Sequence, residues 1–304
     1  MKAFKDIELN QEEIEDLIEE KENKLKELEK GSEYVKQLSD IALLQIEINQ
    51  FEKAEKNLHT CLKHFQNLKD RLGEASVFGL LGTLHLKKEE YDLAIEFYQK
   101  SQKIYEELSQ KQEIIICLKG IGSALMKKGD FRNSTEIFLK CSEICSNQND
   151  IYGLLDCLGN LIQIHEREEK WDIVLELYQK TLKAFGEIRD KKGIIISYFN
   201  IGIIYKNNSK YGKALEFFKK GTNVAIEANF AEYIIKGLSY VGESLFYLGK
   251  IKEAKSQYIK ALYLAEKNQA KNAIIQIKII LKSLGLSETQ IDDDFKSFQK
   301  SVNK

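Results

Sequence analysis

The sequence predicts an all-α protein built as a solenoid of stacked antiparallel helix pairs. Its 304 residues include no proline, the residue that breaks helix interiors. One amphipathic helical pattern returns every 40 residues, starting at Phe51, Tyr91, Phe131, Trp171, Tyr211 and Ile251. A second helical pattern precedes each copy of this one, so the repeating unit is a helix pair that buries its apolar face by stacking on its neighbours.

The first segment, residues 1–30, is interpreted as an acidic N-terminal capping helix. Asn10 and Glu13 have the spacing of a capping box, which predicts a helix from about Gln11 to about Lys30. The segment holds eleven Asp and Glu residues against six Lys residues. Two other roles stay open for it: pairing with a second copy, and folding back over a basic surface as an autoinhibitor.

Residues 31–270 are assigned to six repeats. The first helix of each pair carries a nearly constant small column, which predicts close packing because glycine costs a helix roughly 1 kcal/mol against alanine. The glycines of that column are Gly82, Gly122, Gly202 and Gly242. The second helix carries a column of larger side chains between two columns of small ones, and the larger residues are Leu58, Tyr98, Phe138, Tyr178, Phe218 and Tyr258.

The last segment, residues 271–304, is predicted to close the array. A seventh first helix is expected from Lys271 to Ser283. Ser287 then opens a final helix, roughly from Glu288 to Val302, which is expected to cover the last exposed apolar face, as the end of a repeat array requires.

These columns resemble the tetratricopeptide repeat (TPR), although the usual late proline is absent. The 40-residue variant resembles most the LGN/Pins polarity adaptors, and it is similar to Rap-type peptide sensors and, less closely, to kinesin light chain. The resemblance implies a right-handed superhelix in which the first helix of each pair lines a concave groove. It also implies that this groove binds a peptide.

Two columns of the first helices are candidate ligand contacts. The resemblance to the adaptors implies that Asn160 and Asn200 hold a peptide backbone; the alternative is a hydrogen bond between neighbouring helices. Lys87, Lys127 and Arg167 form a basic column, and Lys119 adds to it, which predicts an acidic ligand. The alternative is that these cations simply interact with the dipoles at helix C-termini.

Four aromatic residues of the later repeats are predicted to face the groove and form an apolar anchor, unless some of them pack between repeats. They are Phe199, Tyr240, Phe246 and Tyr247. The expected ligand therefore has an acidic part near repeats two to four and an apolar part near repeats five and six.

The two-carboxylate clamp of chaperone-binding TPRs is incomplete in this chain. Lys119 and Asn160 occupy two of its columns, whereas Ser123, Ile196 and Asn200 replace the other members. Binding of a chaperone's C-terminal carboxylate is therefore not expected.

No enzymatic motif was found, so no catalytic residue, cofactor or metal site is assigned. His85 and His165 fall in a packing column. The cysteines are assigned to core packing; Cys141 and Cys145, one helical turn apart, are able in principle to share a metal ion, but no suitably spaced histidine accompanies them. The five cysteines are Cys61, Cys117, Cys141, Cys145 and Cys157.

The sequence thus predicts a non-enzymatic adaptor that binds a protein or peptide. The alternative is a signalling-peptide receptor whose superhelix changes conformation on binding. A formal net charge of −1 argues against a nucleic-acid partner, and no segment is expected to insert into a membrane. A cytoplasmic location is expected because no signal peptide opens the sequence. The partner, the pathway and the oligomeric state stay open.

Overall fold

A computed structural model describes residues 10–29 and 31–302 of the chain. The helices are α1 (Gln11–Glu27), α2 (Ser32–Glu47), α3 (Phe51–Leu68), α4 (Arg71–Lys87), α5 (Tyr91–Glu107), α6 (Lys111–Lys128), α7 (Phe131–Asn147), α8 (Ile151–Arg167), α9 (Trp171–Glu187), α10 (Lys191–Asn207), α11 (Tyr211–Glu227), α12 (Ala231–Tyr247), α13 (Ile251–Lys267), α14 (Lys271–Ser283) and α15 (Glu288–Val302). The predicted all-α class is therefore confirmed, and α3, α5, α7, α9, α11 and α13 begin at the residues that mark the 40-residue period.

The chain divides into two compact units, one up to Ile164 and one from His165. In both, a first helix packs on the second helix of its own pair, as α4 does on α5 and α10 on α11. Successive first helices also contact each other: α2 with α4 and α4 with α6 in one unit, and α10 with α12 in the other. We call the outer surface of the first helices the first-helix face of each unit. In the second unit, this face includes α14.

Every turn between α2 and α14 uses the same backbone geometry. One residue of each turn has a positive φ, at a constant spacing of twenty residues, and most of these residues are not glycine. The next residue donates its N–H to a carbonyl five residues earlier, as Gln110 does to Tyr105 at 2.9 Å. This bond satisfies a carbonyl that the helix end leaves without a partner. The positive-φ residues are Asn49, Lys69, Glu89, Ser109, Gly129, Asn149, Glu169, Arg189, Ser209, Asn229, Gly249 and Gln269.

The turns therefore predict two substitutions of opposite sign. A left-handed backbone costs a residue with a Cβ about 1–2 kcal/mol, whereas glycine adopts it freely. Exposed Ser109 has φ 56° and Gly129 has φ 89° in equivalent turns. We expect Ser109→Gly to raise the free energy of unfolding by up to about 1 kcal/mol and Gly129→Ser to lower it by about 1 kcal/mol. Urea denaturation measures both; a loss of stability in Ser109→Gly would contradict the assigned backbone.

The predicted close packing at the glycine column is confirmed. A Cβ added at Gly202 would lie 2.5 Å from the ring of Phe218, and one added at Gly122 would lie 2.8 Å from the ring of Phe138. Both phenylalanines are 0% exposed. The glycines therefore provide the space that the rings of the second helices fill.

The N-terminal helix α1 begins at Gln11, as the capping box predicts, and ends at Glu27, whereas residues 1–9 and Lys30 of the predicted capping segment lie outside the described residues. Asn10 and Glu13 form both hydrogen bonds of the capping box at the start of α1. α1 packs on α2, and Ile18 of α1 is buried. The Nζ of Lys21 lies 3.4 Å from a carboxylate oxygen of Asp40, so α1 is tied to the first helix of the first repeat.

At the C-terminal end, α15 covers one side of the last helix pair. α15 packs mainly on α13, where the ring of Phe298 meets that of Tyr263 edge-on at 5.4 Å. Ile275 and Ile279 of α14 stay 58% and 61% exposed. Ile291 of α15 is buried in one cluster with Ile277 and Leu281 of α14, so the side of α14 that carries Ile275 and Ile279 stays exposed while the opposite side is covered.

Candidate functional site

The basic column of Lys87, Lys127 and Arg167 lies at the C-terminal ends of first helices, whereas Lys119 lies in the middle of α6. Lys87 and Lys119 are paired. Lys87 is exposed, and its Nζ lies 3.1 Å from a carboxylate oxygen of Glu47. Lys119 is half-buried and pairs with Asp156. Lys127 and Arg167 are exposed in the last turns of α6 and α8. The helix-dipole interpretation fits these positions, and an acidic ligand at Lys87 or Lys119 has to compete with a carboxylate of the protein.

Both candidate asparagines already donate a hydrogen bond within the protein. The Nδ2 of Asn160 donates to the backbone carbonyl of Asp156 at 2.9 Å. The Nδ2 of Asn200 donates to the hydroxyl of Tyr178 at 3.0 Å. Burial raises the pKa of Tyr178 to about 12, so this hydroxyl stays protonated at neutral pH. A side-chain amide has two N–H donors and an acceptor oxygen, so one internal bond does not use up its capacity.

Phe199 does not have its predicted role. It is only 3% exposed, and its ring lies against Gly221 of α11 and Gly237 of α12. Its ring also meets those of Phe218 and Tyr240. The expectation that Phe199 presents its ring to a ligand is therefore wrong, because two glycines on neighbouring helices make room for it in the core.

The other three aromatics reach the surface of the second unit. Tyr240 is half-buried and stacks on Phe218 with ring centroids 4.7 Å apart. Two turns further along α12, Tyr247 is 51% exposed and stacks on Tyr211 at 4.6 Å. Phe246, next to it, is 40% exposed. Tyr240 and Tyr247 share one side of α12 because they are seven residues apart.

A cleft of about 640 Å³ opens between α12 and α14 on this first-helix face. Tyr240 and the exposed Lys236 form part of its wall, and the Nζ of Lys236 lies 5.9 Å from the centre of the Tyr240 ring. Ile235 and Ile280 supply apolar surface, and Ser239 supplies a hydroxyl. The cleft therefore combines an apolar wall with one cation, one carboxylate (Glu232) and several hydrogen-bonding groups. This lining suits an apolar side chain next to a polar or charged one.

Two isoleucines that were not predicted to contact a ligand are exposed on the first-helix faces. Ile116 of α6 is 49% exposed and Ile196 of α10 is 43% exposed. They occupy equivalent positions of their repeats, one turn before the asparagine column. The signal was present in the sequence, because the other repeats have a polar residue in that column: Lys36, Ser76, Asp156, Lys236 and Gln276.

The histidines of the packing column are buried, as expected. His85 is 5% exposed, stacks on Phe97 and places its Nδ1 2.6 Å from a carboxylate oxygen of Glu90. The hydrogen bond from His85 lowers the pKa of Glu90. His165 is 8% exposed and makes a similar contact with Glu168 at 2.9 Å. Each imidazole thus joins its helix to the following turn.

The sequence matches models of the tetratricopeptide repeat at residues 37–107, 195–225 and 241–268. The repeat hairpins and their glycine–ring contacts agree with these matches. The chain therefore contains tetratricopeptide repeats in these segments. None of the helices in the described part of the chain is both long and apolar enough to cross a membrane.

Relatives and solved structures support the same fold. The chain is 24% identical over 260 residues to the tetratricopeptide repeat protein 19 homolog, mitochondrial, of Drosophila melanogaster. This alignment covers 80% of this chain and 69% of the relative. It is similar to the apo form of RapI, with a TM-score of 0.54 at 13% identity over 82% of this chain and 97% of that one. It is also similar to BtubC (BKLC) from P. vanneervenii, with a TM-score of 0.57 at 17% identity over 72% and 91% of the two chains.

Proposed function

We propose that the protein is a non-enzymatic adaptor that binds a peptide segment of a partner protein on its first-helix face. The observation that carries this proposal is the cleft between α12 and α14, with exposed aromatic side chains further along α12. Monomeric proteins seldom expose grouped apolar side chains without an interaction to serve. TPR proteins in general act as interaction scaffolds, and the chemistry of this face fits that role.

The proposed ligand is an extended segment with apolar and acidic residues. An apolar side chain enters the cleft beside Tyr240, and an acidic residue pairs with Lys236. Asn200 lies on the same first-helix face, and its second side-chain N–H and its amide oxygen bind the peptide backbone. In the first unit, Lys87, Lys119 and Lys127 receive an acidic segment, while Asn160 and Ile116 supply polar and apolar contacts.

A second candidate is a receptor for a signalling peptide. A similar solved structure is a Rap protein in complex with Competence and Sporulation Factor, with a TM-score of 0.51 at 12% identity over 92% of this chain and 81% of that one. A receptor of this kind changes conformation when its peptide binds. Small-angle scattering with and without a bound peptide separates the two functions, because an adaptor keeps its radius of gyration.

The proposed compartment is the cytoplasm. The name of the fruit-fly relative places that protein in mitochondria. Fractionation of the source cell tests the proposal directly.

A random-peptide display selection on the immobilised full chain tests the proposed function. We expect enriched peptides with apolar and acidic positions. Lys236→Glu and Tyr247→Ala should each weaken their binding about tenfold, the effect of losing about 1.4 kcal/mol. The matched controls on α11 are Lys219→Glu and Ile226→Ala, which alter an exposed lysine and a 53% exposed side chain. Failure to enrich any peptide, or equal losses in the controls, would contradict the proposal.

A further inference from the structure

Three buried thiols meet between the third and fourth repeats. Cys141 and Cys145 belong to α7 and Cys157 belongs to α8, and all three are 0% exposed. Their sulfur atoms lie within 4.8 Å of one another. The cluster lies entirely in the first unit.

The repeat geometry explains why these side chains converge. Cys141 and Cys157 are equivalent to Ser101 and Cys117 of the preceding repeats, where the Cys117 Sγ–Ser101 Oγ distance is 3.3 Å. The same two columns therefore meet at both places. Between the third and fourth repeats both columns hold cysteine, so two thiols face each other.

The third thiol occupies a place that some other repeats fill with an aromatic ring. Phe65 and Phe185 are equivalent to Cys145, and each ring packs where a Cβ of a facing glycine, Gly73 or Gly193, would be. Gly153 is the corresponding glycine opposite Cys145, whose sulfur lies 2.8 Å from the position of its Cβ, with the carboxylate of Asp150 beside it. The place that the ring takes in those repeats is thus taken here by the Cys145 sulfur and the Asp150 side chain.

We propose that these three cysteines bind a Cu(I) ion. Three sulfurs that share one ion at about 2.3 Å in a plane are about 4.0 Å apart, which the observed cluster accommodates. No further His, Cys, Asp or Glu side chain joins the cluster within the described residues. A structural zinc site takes four such ligands, whereas soft thiolates in an apolar setting select Cu(I).

Each thiol that becomes a ligand exchanges its S–H bond for an S–Cu bond and releases a proton to solvent. Copper enters and stays as Cu(I), so no oxidant or reductant is consumed.

Anaerobic titration of the full chain with Cu(I) against a chromophoric Cu(I) chelator tests the site. We expect the native chain to retain one ion per molecule and to show a thiolate-to-copper absorption band. Cys157→Ser should weaken binding at least 100-fold. Cys117→Ser is the matched control, because Cys117 is an equivalent buried cysteine with a serine neighbour. That variant should retain the ion as the native chain does.

A second variant keeps the test valid if a buried serine disturbs folding. Cys145→Ala places alanine where equivalent positions already hold Ala225 and Ala265, both 0% exposed. Cu(I) should raise the melting temperature of the native chain and of Cys117→Ser, but not that of Cys145→Ala, because only an intact site stabilises the folded state by binding. Absence of retained copper in the native chain, or retention by Cys145→Ala equal to the native level, would overturn the proposal.

Discussion

Replacing Phe218 with alanine is expected to lower the free energy of unfolding of the second unit by roughly 3–5 kcal/mol, the usual cost of deleting a buried aromatic ring. The ring is 0% exposed. It lies where a Cβ of Gly202 would be 2.5 Å away, and it stacks on Tyr240 at 4.7 Å. Deleting the ring leaves a cavity between α10, α11 and α12. Urea denaturation followed by circular dichroism measures the loss.

Phe217 is the matched control, since it is the preceding residue of the same helix. Its ring is half-buried and contacts Tyr205 and Tyr198 near the surface. Phe217→Ala should therefore cost clearly less than Phe218→Ala. Equal losses for the two variants would show that the glycine–ring contact does not dominate the stability of the repeat.

The second large effect is expected from adding atoms at the glycine column. Gly122→Val should lower the free energy of unfolding by about 1–3 kcal/mol, the usual cost of overpacking a core. A Cβ at Gly122 would lie 2.8 Å from the ring of Phe138, which is fully buried. Thermal and urea denaturation give the change.

Gly159 provides the control with the same substitution. It lies inside α8, it is exposed, and nothing lies within 4 Å of an added Cβ. Because valine is a slightly better helix former than glycine, Gly159→Val should leave stability unchanged or raise it by a few tenths of a kcal/mol. A similar loss at both glycines would assign the effect to helix propensity and would contradict the packing argument.

The fold was predictable because one pattern is repeated. The columns that mark Phe51 or Tyr91 as the first residue of a helix recur at a fixed interval, so each repeat confirms the next. The left-handed turn residues were harder to predict. Ser109 and Glu89 adopt a conformation that favours glycine, because the helices on both sides fix the turn.

The candidate site was less predictable, because its residues depend on which columns meet. Phe199 is buried because Gly221 and Gly237 make room for its ring, and no single column shows that. The bond from Asn200 to Tyr178 depends on a second helix of the preceding pair. The convergence of Cys157 on Cys141 likewise requires knowing which columns face each other. The exposure of Ile196, by contrast, could have been inferred from its otherwise polar column.

The central claim is that the first-helix face binds a peptide. Hydrogen exchange of the full chain, with and without a peptide obtained by display selection, tests it most directly. Peptide binding should slow exchange in α10, α12 and α14, with the largest change around Lys236 and Tyr240. Protection confined to α11, α13 and α15, which border a separate cleft of about 560 Å³, would contradict the claim and assign binding to the second helices.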